Sequence, residues 1–67
     1  MKWIIRNAET EDVLERFSKK DESPVFSNKD SKAKWFYSWS DVQKAVAIAQ
    51  KCGYDVYPIS EKSDREN

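Results

Sequence analysis

Histidine is absent from the 67 residues, glycine and cysteine occur once each, and proline occurs twice. Each scarcity removes a class of function. Without histidine the chain lacks the commonest general base near neutral pH. A single glycine, Gly53, rules out a glycine-rich phosphate cradle. A lone thiol, Cys52, cannot close an internal disulfide, and no Cys/His cluster is present to hold zinc. No cofactor and no metal are therefore expected. Apolar runs are short as well. Trp3-Ile4-Ile5 falls far below the ~18–20 residues of a membrane span and does not read as a signal peptide. Lys+Arg and Asp+Glu balance at 12 each, which argues against binding nucleic acid mainly through phosphate neutralisation. The expectation is a cytoplasmic, non-enzymatic protein with no membrane attachment.

Aromatic residues are plentiful: three Trp, three Tyr and three Phe. A chain this small buries only roughly 60% of its unfolded surface. Each ring can supply ~150–250 Å² of burial, so aromatic packing or self-association must replace the missing staples. Four of the nine fall in Lys34-Trp35-Phe36-Tyr37-Ser38-Trp39-Ser40-Asp41-Val42, where an extended run feeds an amphipathic helix.

That helix is the strongest local signal. Val42, Ala45, Val46, Ala49 and Cys52 follow a 3.6-residue period and form one apolar stripe. Ser38 is placed as N-cap with Asp41 as a near capping box, and Tyr37 as a hydrophobic staple onto Val42. A second register, Ser40 with Gln43, loses the staple. Asp41 and Lys51 suit the helix dipole, and Gly53 suits the left-handed C-terminal turn. On this stripe Cys52 reads as a buried structural cysteine. The dipole at a helix C-terminus also argues against a thiolate nucleophile.

Elsewhere the elements are shorter. Residues 2–7 read as a first strand. Val13-Leu14-Glu15-Arg16-Phe17 reads as a strand or as a short helix capped by Thr10. A helix of about one and a half turns is marginal, which favours the strand, with Val13, Glu15 and Phe17 on one face and Leu14 and Arg16 on the other. Residues 18–31 form a long polar connection in which Val25 and Phe26 anchor on the core or the loop carries function. Residues 54–59 make a final strand that lies at an edge or ends at Pro58, which has no N–H to donate. The fold class is α+β: a small, mainly antiparallel sheet of three to four strands, with one helix at about 39–52 on one face. Trp3, Ile5, Phe17, Phe36 and Val56 fill the space beside the alanine-rich stripe. A single domain spans 1–60, and 61–67 is a disordered polar tail.

The cadence Trp3-Ile4-Ile5-Arg6, Val13-Leu14-Glu15-Arg16-Phe17, Ala33-Lys34-Trp35-Phe36, Ser38 with Asp41-Val42, and Val56-Tyr57-Pro58-Ile59 resembles small uncharacterised proteins encoded by phages and prophages. The resemblance covers core and cap positions over about residues 2–60. It implies a fold, and an accessory or host-modulating role in a host cytoplasm. It carries over no catalytic residue.

The carboxylate pairs Glu11-Asp12 and Asp21-Glu22 read as solvated surface, because adjacent side chains on a loop do not flank one substrate. The sharper candidates lie between residues 29 and 39. Trp35, Tyr37 and Trp39 are expected on a sheet face that the helix leaves uncovered, where they anchor a protein interface. Lys32 and Lys34 are its polar rim. The partner is another protein, a host protein or a second copy in a homodimer. The alternative is single-stranded nucleic acid stacked on the same rings, which the zero net charge disfavours.

Overall fold

The computed structural model describes residues 2–61. It contains β1 (Lys2–Asn7), β2 (Val13–Phe17), β3 (Pro24–Ser27), a 3-10 turn (Asp30–Lys32), α1 (Trp39–Lys51) and β4 (Val56–Glu61). The four strands form one antiparallel sheet in the order β3-β2-β1-β4. The helix lies across one face, giving the expected α+β layering. Of the tail expected at 61–67, Glu61 instead closes β4 opposite Lys2, and 62–67 lie outside the described residues.

Residues 13–17 resolve as a strand, and the long connection contains a strand of its own. Leu14 pairs with Phe26 and Phe17 with Pro24, with a bulge between Leu14 and Arg16. The bulge overturns the simple alternation expected for β2. One extra residue returns Phe17 to the face that Leu14 occupies, and both meet the helix-side core. That core joins Ile5, Leu14, Phe36, Val42, Ala45, Ala49 and Val56, with Trp3, Phe17, Phe26 and Val46 packed around it.

β1–β2 and β2–β3 are joined by the same turn built twice. In the first, the Asn7 N–H donates to the Asp12 carbonyl (2.7 Å) and the Glu11 N–H to the Asn7 carbonyl (2.7 Å). In the second, the Ser18 N–H donates to the Ser23 carbonyl (2.8 Å) and the Glu22 N–H to the Ser18 carbonyl (2.8 Å). A side-chain oxygen opens each turn: Asn7 Oδ1 accepts from the Glu9 and Thr10 N–H groups, and Ser18 Oγ accepts from the Lys20 N–H. The last loop residue of each is left-handed, Glu11 at φ 65° and Glu22 at φ 61°. Ser23 donates its hydroxyl (2.8 Å) and its N–H (3.2 Å) to Asp21 Oδ1. These bonds hold the Asp21 carboxyl below its ordinary value of 3.8.

The helix starts and stops where the sequence places it, with one correction at each end. Ser38 is the N-cap, in extended backbone, but its side chain makes no cap hydrogen bond. Tyr37 is 71% exposed, so the staple onto Val42 is not made. Phe36 enters the core in its place. At the other end the Gly53 N–H donates to the Gln50 carbonyl and the Tyr54 N–H to the Ala49 carbonyl, with Gly53 at φ 93°. This is the Schellman arrangement, which needs a left-handed residue where Gly53 stands. Cys52 is the C-cap and is exposed, contrary to the buried reading. It stands ten residues after Val42, about 80° round the helix axis from it.

The extended run before the helix does more than connect. The Trp3 N–H donates to the Phe36 carbonyl (2.8 Å), and the Phe36 N–H donates back to Trp3 (2.9 Å). The Lys34 N–H donates to the Leu14 carbonyl (2.8 Å). Residues 34–36 are therefore wedged between β1 and β2, which pair with each other only near the hairpin, at Arg6 and Val13.

The far face of the sheet is not bare. Ile4, Val13 and Ala33 form a second buried cluster with Ile59 beside it. Arg6 holds the covering chain there: its Nη1 donates to the Glu11 carbonyl (2.6 Å), and its Nη2 lies 3.5 Å from Asp30 Oδ1. The expectation of one wholly uncovered face fails because residues around the 3-10 turn cross it.

Candidate functional site

The same wedge creates an open groove. α1 lies over β1 and β4, and its flank toward β2 stays apart from the chain at residues 34–38. The space between them is about 470 Å³. Phe17 and Phe36 line it from below; Asp41, Lys44, Ala45 and Ile48 line it from the helix; residues 34–38 form the opposite wall. The four helix positions are spaced i, i+3, i+4, i+7, one face of a helix. They form a stripe beside the buried one and share Ala45 with it.

The rim is charged. Lys34 stands on the chain wall with its Nζ 5.6 Å from the Phe36 ring centroid. Lys44 stands on the helix wall. Among the described residues the one ion pair is Arg6–Asp30, so neither lysine has a carboxylate within pairing distance. Asp41 is the one acidic residue among the described residues that line the groove.

Three of the five residues expected at the site converge here: Lys34, Trp35 and Tyr37. Trp39 does not. Its ring leans on Trp3 with centroids 5.5 Å apart, tilted by 54°, and it stays 48% exposed. Lys32 closes the exposed 3-10 turn and takes no part in the groove. Trp35 is 37% exposed and carries the Lys2 ammonium 4.5 Å from its ring. Lys2 and Trp3 are neighbours on β1 and project to opposite faces. The rings they engage, Trp35 and Trp39, thus sit on opposite sides of the sheet and form no continuous platform.

Sequence reasoning did not place Phe17, Lys44, Ala45 and Ile48 together at this groove. The helical spacing from Asp41 to Ile48 was the available signal for the last three. Phe17 was expected beside the helix stripe and is found there, but the bulge that sets it on the same face as Leu14 leaves no mark in the residue pattern.

A second, smaller groove runs along the other flank of α1, between Trp39, Val42, Val46 and Pro58. Among the described residues no charged side chain lines it. Among the described residues no group of three His, Cys, Asp or Glu side chains is placed to hold a metal ion, and no helix is long and apolar enough to cross a membrane.

Compared with known proteins, the chain matches no family model, no curated protein and no solved structure.

Proposed function

We propose that this protein is a small, non-enzymatic binding module that acts through protein contacts, with the groove beside α1 and the rings at its edge as the contact surface. The observation that supports this is the apolar Phe17–Phe36 floor that the fold leaves open between Lys34 and Tyr37 on the chain wall and Lys44 on the helix, with the Trp35 ring half-exposed on the other side of that wall. Tyr and Trp give large contact area at low conformational cost and dominate interface energetics. A cytoplasmic setting fits the exposed Cys52 thiol, because free thiols persist in reducing compartments. An accessory, host-modulating role of phage type belongs to the same proposal and rests on the cadence of core and cap residues alone.

Nucleic-acid stacking is the second reading. Residues 29–51 carry five Lys against two Asp, which favours a negatively charged partner. Against it, stacking of successive bases needs rings in a row, and Trp35 and Trp39 lie on opposite sides of the sheet.

The test replaces Tyr37 with the photo-crosslinker p-benzoylphenylalanine in cells that express the full chain, followed by mass spectrometry. Protein adducts that disappear when Trp35→Ala and Lys34→Glu are added are the expected result. Adducts to nucleic acid alone, or none, overturn the proposal.

A further inference from the structure

We infer that the groove takes a short, acidic, amphipathic segment of a partner protein, laid along α1 with apolar side chains on the Phe17–Phe36 floor and carboxylates on Lys34 and Lys44. This rests on the binding-module reading above and adds the partner's chemistry.

Charge fixes the sign of the occupant. Lys34 and Lys44 face each other across the apolar floor without a carboxylate partner among the described residues. Asp41 offsets only one of them. A segment with carboxylates on both flanks complements the rim, and a basic segment is repelled at two points.

The sheet edges fix the docking mode. The Trp3 N–H and C=O point toward residue 36, so the backbone groups of Lys2, Ile4 and Arg6 point toward β4. Ile59 and Tyr57, directly across from Ile4 and Arg6, point inward in return, and Pro58 between them points outward. The Ser18 N–H points toward Ser23. By the same alternation Arg16 and Val25, which pair, face each other, and Pro24 points outward. Each edge strand thus has a residue without an N–H at an outward position, which discourages an added strand. An occupant seated against the helix flank remains.

Length fixes the scale. Asp41 and Ile48 stand seven positions apart, about 10 Å along the helix. That accommodates two apolar anchors one helical turn apart.

The test uses the full chain, isotopically labelled for amide NMR. Probes are a capped peptide of about 14 residues, four helical turns, with Leu and Phe at i, i+3, i+4 and i+7 among Glu and Asp, and the same peptide with Lys at every acidic position. The acidic peptide is expected to shift the amides of residues 34–38, Ala45 and Ile48, and the basic peptide to leave them in place. Lys34→Glu with Lys44→Glu, both at exposed positions, is expected to weaken the acidic peptide by about tenfold, one decade of affinity, and to admit the basic one. Equal binding of both peptides, or shifts centred on Trp39 and Pro58, overturns the inference. So does tighter binding of a thymidine oligonucleotide that the double variant abolishes. If Tyr37 still crosslinks to protein while the acidic peptide fails, the occupant is wrong and the binding module stands. If both fail, both fall.

Discussion

Cys52 ends the helix with its side chain in water, although its spacing sets it among the apolar residues of the stripe. Its place at the end of the helix decides this. By rotation alone Cys52 is only about 20° beyond the buried Ala45, but it is the C-cap, past the last helical residue Lys51, where the chain already turns away from the sheet through Gly53. An exposed thiol at a C-cap contributes little packing. Ellman's reagent is therefore expected to titrate Cys52 fully in native buffer, and Cys52→Ser to change unfolding free energy by less than about 0.5 kcal/mol, the usual range for surface substitutions. Protection of the thiol until denaturant is added would contradict this. Tyr37 departs from expectation in a related way. A staple before a helix assumes a chain free to fold back on it. Here residues 34–36 are already engaged with Trp3 and Leu14, so Phe36 takes the core and Tyr37 is left outside.

Among the elements, α1 and β4 were legible because their signals are local: a stripe, a glycine at a fixed offset, a proline that demands an edge. β3 was not, since four residues with two apolar side chains fall below any periodicity test. What specifies it is the twin turn on either side of β2, a feature of backbone hydrogen bonding. Both turns hold a glutamate in left-handed backbone, where an L-residue costs roughly 1–2 kcal/mol. Glycine relieves that strain and gives back part of it as unfolded-state entropy. Glu11→Gly and Glu22→Gly are each expected to stabilise by about 0.5–1 kcal/mol, a rise in midpoint of roughly 2–8 °C for a domain of this size. Thermal unfolding followed by circular dichroism measures it. A lowered midpoint would show that glutamate contributes through its side chain. The bulge in β2 explains why the groove was only half visible: its chain wall is a sequence cluster, while its floor needs a register shift.

At the scale of the molecule, the only two prolines stand on the two opposite edges of one sheet, each at an outward-facing position. Strand-to-strand association between copies is therefore discouraged at both ends. Pro58→Thr restores an outward N–H on β4 and adds a residue suited to strands. Greater self-association than the wild type, measured by sedimentation at matched concentration, is the expected outcome; an unchanged sedimentation profile would remove the edges from the account. Charge is also distributed unevenly, which the zero total concealed. Ten of the twelve acidic residues lie outside residues 29–51, so the segment that forms the groove wall and the helix is basic on its own.

The wedge has a consequence for the order in which the chain can assemble. The opening residues of β1 leave the ribosome some thirty positions ahead of the backbone that completes their bonding, Trp3 waiting for Phe36. The two early hairpins can close on local contacts, but the start of the first strand has both its neighbours, Phe36 and β4, in the later half of the chain. A truncated product ending before residue 36 would lack that partner entirely, together with the wall that residues 34–38 give the groove.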